Sequence, residues 1–561
     1  MTDVLTEIVS AVLFLFLEAQ SYDVKVDVSQ GSLLGVRQTS IFDGKSYFAF
    51  YGVPYAQPPV GILRFKNPKE PKIWKRPFDA STENRGACAQ AHIVHKHAVY
   101  GYEDCLHLNI YTPSIHKEGA PTRAVIVWVH GYGFTSSFSH IYGGDFFIEN
   151  DVILVTLTHR IGPFGFLKVN ESDTDTNMGL KDIVMALTWI KRNVKVFSGD
   201  NKKITVMGSG SAATLLSLLL TTKSNKLFAK MILQSGSIYS PSLFLGDNEL
   251  EKSRLRKLLA GKGNKVFVHA STSSIVAAAQ KIYNNQEIIQ RQRPLIPFLP
   301  IRESNTSLLT KSQKVQSLHT KPMLIGFNSQ ESISDIIPFL QNPQLLQTLA
   351  ISFKFIVPFA SGCQFHSTSQ RYKNVAETIK KKYFKNGVSV ERFLSYATDL
   401  YKYPVYKFMK EAVTVNDKVY AYKFNYNGNF NAVKTTSLAG VNVKVKGAAN
   451  GDELCYLLKC EPLWENYVKI YRDVSNRDRI FIQQITELWS NFAKFSDPTP
   501  IDYRGNITWP PMSAAKNSLF HIGRQFKMVN DKSENAMFAF WNEIYEKYYS
   551  PEHCENKHDE F

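Results

Sequence analysis

The stretch from Ile204 to Leu220 constrains the fold more than any other part of the chain. Ile204-Thr205-Val206-Met207 is a short apolar, β-branched run. Gly208-Ser209-Gly210-Ser211 is built of turn formers, and Ala212–Leu220 is an apolar helical segment without a single charge. A strand that turns sharply into a helix with no polar face must be covered by protein on both sides. Ala124–Val129, Val152–Thr158, Met231–Gln234, Met323–Gly326 and Val419–Phe424 read as further strands of the same kind. Between them lie helical patterns such as Met178–Val196, with Leu180, Ile183, Val184, Leu187 and Ile190 at helical spacing. This alternation predicts an α/β fold around a mostly parallel sheet. The 561 residues would allow three or four domains. No repeat, low-complexity tract or Pro/Gly linker divides them, so one domain is expected over residues 22–550, with helical insertions.

Charge and address narrow the function. Sixty-six basic residues against 49 acidic give a formal net charge of +17. These charges scatter, the densest cluster being Lys380-Lys381-Lys382, so no nucleic-acid partner is expected. The apolar run Val9–Leu17 is too short to span a bilayer, which takes about 20 residues. It suits the core of a signal peptide over residues 1–21, although Asp3 and Glu7 stand where basic residues are usual; a buried or interfacial helix is the alternative. No later segment is apolar enough for a transmembrane anchor. Asn170, Asn305 and Asn506 each open a glycosylation triplet. The tail over 551–561 ends His558-Asp559-Glu560-Phe561, which resembles an HDEL-type retrieval signal. Together these features favour the lumen of the endoplasmic reticulum, with secretion as the alternative. Six cysteines allow two or three disulfides.

Several long motifs then occur in order. They are Gly52-Val53-Pro54-Tyr55-Ala56-Gln57-Pro58-Pro59-Val60-Gly61 with Arg64-Phe65, Glu103-Asp104-Cys105-Leu106-His107-Leu108-Asn109, and His130-Gly131-Tyr132-Gly133-Phe134. Arg160-Ile161-Gly162-Pro163-Phe164-Gly165-Phe166-Leu167, Asn177-Met178-Gly179-Leu180-Lys181-Asp182, Leu233-Gln234-Ser235-Gly236 and Trp489 through Pro500 follow. Across nearly its whole length the chain resembles the type-B carboxylesterases, the carboxylesterase/cholinesterase family. The resemblance implies the α/β-hydrolase fold and hydrolysis of carboxylic esters by a serine, without metal or cofactor. It also implies ion pairs Arg64–Glu103 and Arg160–Asp182 and a disulfide between Cys88 and Cys105. Cys455 and Cys460 are left open, as a small closed loop or as thiols.

The departures fall on the chemistry. In such a fold a serine on the strand-to-helix turn attacks the ester, a histidine takes its proton, and a carboxylate orients the histidine. Where the family pattern reads G-E-S-A-G, this chain has Gly208-Ser209-Gly210-Ser211-Ala212, so the nucleophile position is Gly210. The acid position is Glu331, in Gly326-Phe327-Asn328-Ser329-Gln330-Glu331. Asn450 replaces the histidine in Gly447-Ala448-Ala449-Asn450-Gly451-Asp452-Glu453. An amide does not titrate near neutrality and cannot act as a general base, yet it can still bond to Glu331. The oxyanion positions are Tyr132, Gly133 and Ser211, with Tyr132 where glycine is usual. Ser209 and Ser211 lie outside the nucleophile frame. The expectation is an inactive homologue that binds an apolar or ester-like small molecule in the remnant pocket. A protein-interaction role, or an active esterase with an unusual nucleophile, are the alternatives.

Overall fold

The computed structural model describes residues 22–550 apart from 84–85, 92–98, 170–174, 241–247, 284–295, 302, 304–320, 343, 348–356, 359–364, 366–367 and 442. The expected leader over 1–21, the sequons at Asn170 and Asn305, Cys363, Cys554 and the tail over 551–561 lie outside the described residues.

The apolar strands stack side by side. The order across the main sheet is Val24–Val28, Gly31–Thr39, Ser46–Pro54, His107–Thr112, Ile153–Leu157, Arg123–Val129, Gly199–Ser209, Lys230–Gln234, Met323–Asn328, Val419–Phe424, Leu519–Ile522 and Phe526–Val529. Every neighbour pair from Ile153–Leu157 through Leu519–Ile522 is parallel. The first strands and the last pair antiparallel. All six strands read from the sequence are in the parallel part. The antiparallel flank was missed because its strands, such as Gly31–Thr39 (GSLLGVRQT), mix polar with apolar residues.

The continuous apolar runs are explained by burial on both faces. Val125, Val127, Val129, Val206, Leu233 and Ile325 pack into one core, while Ile126, Trp128, Met207, Ile232 and Leu324 pack into another on the opposite face. Helices Met178–Asn193 and Ser211–Leu219 cover the first face and Arg477–Phe495 the second. A third core, with Ile333, Val375, Phe393, Tyr396 and Trp541, gathers the helices Gln370–Tyr383, Val390–Ala412 and Lys532–Tyr548. It includes Ala449, the residue before Asn450. The inserted helices therefore form a separate layer against the loop that carries Asn450. Among the described residues, no helix is long and apolar enough to cross a membrane.

Covalent and ionic staples hold the loops at the C-terminal ends of the strands. Disulfides join Cys88 to Cys105 and Cys455 to Cys460. The Arg64 guanidinium donates to both oxygens of Glu103 at 2.7 and 2.6 Å, and also to the carbonyls of Phe267, Val268 and Ala270. Arg160 makes the same two-pronged contact to Asp182 at 2.8 and 2.7 Å, with its backbone amide adding a third bond. Side chains of this second pair are 3% and 0% exposed. A charge so deeply buried is tolerated only while its partner is present. Arg160→Met is therefore expected to cost about 3–5 kcal/mol in denaturant melts, and Arg160→Met with Asp182→Leu to recover much of it. A single variant as stable as the parent would contradict this.

Candidate functional site

The strand Gly199–Ser209 ends at Gly210, which takes φ 58° and ψ −123° and caps the helix Ser211–Leu219. Glycine enters this region freely, whereas a residue with a Cβ is strained there. The Gly210 amide donates to the Gln234 carbonyl at 2.8 Å, tying the turn to the next strand. At Gly208 a Cβ would meet Leu216 Cδ1 at 2.7 Å and Ala213 N at 3.0 Å, so this glycine lets the helix lie directly on its strand. At Gly210 a Cβ would point to 2.9 Å from the Gly131 carbonyl oxygen and 3.9 Å from Asn450 Oδ1. The turn thus faces the Asn450 loop and the Gly131–Phe134 loop.

Asn450 and Glu331 meet across 119 residues of chain, with Asn450 Nδ2 donating to Glu331 Oε2 at 2.6 Å. The other oxygen of Glu331 accepts from the Asn328 amide at 2.6 Å and the Ser235 hydroxyl at 2.7 Å. Burial drives the Glu331 carboxyl up to about 7, against the pull of those three bonds. Behind it lies Glu453, wholly buried, which accepts from Asn328 Nδ2 at 2.7 Å and Gln234 Nε2 at 3.2 Å. Burial and then the neighbouring Glu331 push Glu453 up to about 8. Ser235, Asn328 and Glu453 fall within motifs quoted from the sequence, yet nothing in their spacing signals that they share one buried network.

The oxyanion positions are distinct from one another. The Tyr132 amide donates to the Ser136 carbonyl at 2.9 Å, while the Thr135 and Ser136 amides return bonds to the Tyr132 carbonyl. Residues 132–136 thus close on themselves as a tight turn, with Gly133 and Phe134 at φ 57° and 58°. Ser211 Oγ accepts from the Phe134 amide at 3.0 Å and steadies that strained residue. Of the three positions, the amides of Gly133 and Ser211 have no acceptor among the described residues. Ser209 is buried at the end of its strand.

Tyr132 keeps half its surface exposed inside a dense ring of protein, and its phenol is pushed up to about 12 by that burial and then by Asp335 and Glu331. Tyr401, also half exposed, is raised first by Asp335, then by burial, Tyr132 and Glu331. Asp335 itself is raised to about 6 by burial. Tyr132, Tyr401, Asp335 and Glu331 are thus electrostatic neighbours. Asp335 and Tyr401 come from the inserted helical layer and had no signal in the sequence. Two buried histidines are held neutral. His130 accepts from the Phe138 amide at 2.9 Å and is held down to about 3 by burial, and His159 to about 4. The described residues contain no cluster of three His, Cys, Asp or Glu able to hold a metal.

The two glutamates make a prediction about pH. Their folded values lie above the ordinary 4.5, so the folded chain keeps protons that the unfolded chain has released. Their stabilising contribution is full below about pH 4.5 and is lost as pH rises through about 7 and 8. Glu453→Gln should flatten the later part of that loss in denaturant melts between about pH 5 and 9. An unchanged slope would show that Glu453 titrates normally.

Comparison with known proteins agrees with this architecture. Juvenile hormone esterase of Tribolium castaneum is 28% identical over 520 residues, covering 87% of this chain and 85% of that protein. Acetylcholinesterase of Bungarus fasciatus is 28% identical over 566 residues, covering 95% and 88%. The crystal structure of juvenile hormone esterase from Manduca sexta, with OTFP covalently attached, superposes with a TM-score of 0.80 at 24% identity, covering 93% of this chain and 99% of that one. The fold is that of the α/β-hydrolases. A model of the carboxylesterase family matches residues 22–541, and the chain belongs to that family.

Proposed function

We propose that this chain is a non-catalytic carboxylesterase that holds an apolar or ester-like small molecule in the pocket above Gly210. The observation that carries the reading is the seat itself. The direction a nucleophile would take from residue 210 leads to Asn450 Oδ1, 3.9 Å from the Cβ position, with no hydroxyl on one side and no base on the other. Loss of either group costs about 10⁶-fold in a serine-hydrolase triad, and loss of the second adds little. The closed turn at Tyr132, whose amide is spent on Ser136, supports the same reading. So do the half-exposed Tyr132 and Tyr401, which offer aromatic surface to a ligand. The Manduca sexta neighbour carries OTFP covalently attached, whereas Gly210 presents no side-chain atom to form such a bond.

Hydrolysis of p-nitrophenyl acetate by the purified protein should not exceed that of a surface-matched control, and a fluorophosphonate probe should leave no adduct. Turnover abolished by one covalent adduct would overturn the proposal. Neither Gly210→Ser nor Asn450→His alone should react with the probe, because each residue needs the other. Together they should react, slowly, since the new Cβ sits 2.9 Å from the Gly131 oxygen and must displace it. Adding Tyr132→Gly should speed the reaction. A folded triple variant that stays inert would mean that the pocket has drifted along with the triad.

The reading extends to the secretory pathway, with support from the apolar run Val9–Leu17 and the exposed sequon residue Asn506. Expressed in eukaryotic cells, the protein should shift in mobility on endoglycosidase H treatment, and Asn506→Gln should reduce the shift. A protein without any shift would contradict a lumenal address.

A further inference from the structure

The contacts around Gly210 also bear on the kind of head group the pocket accepts, an inference that rests on reading the pocket as a binding site. Two oxygens face the position a Cβ would occupy, Gly131 O at 2.9 Å and Asn450 Oδ1 at 3.9 Å. The Asn450 amide is oriented by its neighbour. Above about pH 7, where Glu331 is ionised, Nδ2 donates to Glu331 Oε2 while Glu331 Oε1 is served by Ser235 and Asn328, and turning the amide over would set oxygen against a carboxylate. Neither Gly131 O nor Asn450 Oδ1 accepts a hydrogen bond from the described residues. Close by are two amides with no acceptor among those residues, Gly133 and Ser211, the second at the first turn of the helix that follows.

The socket therefore offers two acceptors beside the Gly210 Cα and two donors at the oxyanion positions. An ester carbonyl can accept from the two amides, but an ester has no hydrogen to give to Gly131 O and Asn450 Oδ1. A carboxylate lacks that hydrogen too and adds a negative charge. An alcohol has one hydrogen to give and no carbonyl for the amides. A primary carboxamide has both parts in one plane: its NH₂ gives two hydrogens and its C=O accepts from the amides. We propose that the socket beside Gly210 recognises a primary carboxamide head group on an apolar ligand, through Gly131 O and Asn450 Oδ1 as acceptors and the Gly133 and Ser211 amides as donors.

The test is calorimetric titration of the full-length protein, buffered well above pH 7 so that Glu331 is ionised, with four probes of equal chain length: decanamide, methyl decanoate, decanoate and decanol. A buried acceptor left unpaired by the ester or acid corresponds to roughly 10- to 100-fold in affinity, so decanamide should bind at least about tenfold more tightly than methyl decanoate. Asn450→Leu removes one acceptor, and Gly210→Ala fills the space between the two oxygens. Each should bring decanamide to within about threefold of methyl decanoate without weakening the ester. Thermal melts identify variants that do not fold, and the ranking of the four probes on the parent protein then decides. Methyl decanoate or decanoate binding as tightly as decanamide overturns the carboxamide proposal and leaves the ligand-binding reading standing. Failure of all four probes to bind overturns both.

Discussion

The close contact between the strand Gly199–Ser209 and the helix Ser211–Leu219 is the constraint on which the rest of the site depends. Nine helical residues, all buried, must lie against a strand that is itself covered on both faces. Gly208 makes the approach possible, because any side chain there would collide with Leu216 and the Ala213 amide. The chain can then reverse only through a residue that accepts positive φ, and Gly210 supplies that conformation without strain. Once the turn is set, the Cα of residue 210 faces the Gly131 carbonyl and the Asn450 amide whatever side chain it carries.

The electrostatics around the turn centre on Glu331. A buried carboxylate beside a histidine is compensated by the charge that the imidazole gains during reaction. Asn450 offers a hydrogen bond and no charge, so Glu331 is held by one side-chain amide, one hydroxyl and one backbone N–H, with the more distant charge of Lys402 adding to them. That is enough to keep it paired but leaves burial dominant, which is why its carboxyl sits near 7. Glu453 behind it suffers the same desolvation and feels Glu331 as well. The network joins Ser235, Asn328, Gln234 and Asn450, all as donors, to the two buried glutamates.

The pocket walls follow a different logic from the turn. Tyr401 and Asp335 are delivered by the helical layer, and Tyr132 by the closed turn after the strand Arg123–Val129. The helix Val390–Ala412 joins two cores, with Phe393 and Tyr396 in the helical layer and Val405, Phe408 and Met409 in the core of the sheet. The ion pairs Arg64–Glu103 and Arg160–Asp182 hold the neighbouring loops in place.

Legible in the sequence alone were the fold class, the six parallel strands of the central sheet, and the absence of a hydroxyl from residue 210 and of an imidazole from residue 450. Each of these is local: burial on both faces leaves an unbroken apolar run, and a missing side chain is missing wherever the chain goes. The antiparallel flank carries no such run, because its strands mix polar with apolar residues even where, as in His107–Thr112, they are mostly buried. The tertiary structure alone decided which way the Asn450 amide points, that Tyr132 spends its N–H on Ser136, and that Glu331 and Glu453 are buried side by side. Asn450 lies 119 residues from Glu331, and Gln234 lies 219 from Glu453. Such partners meet only because the order of strands across the sheet brings their C-terminal ends together, and hydrogen-bond direction is set by the neighbour at that meeting point, which no local pattern encodes.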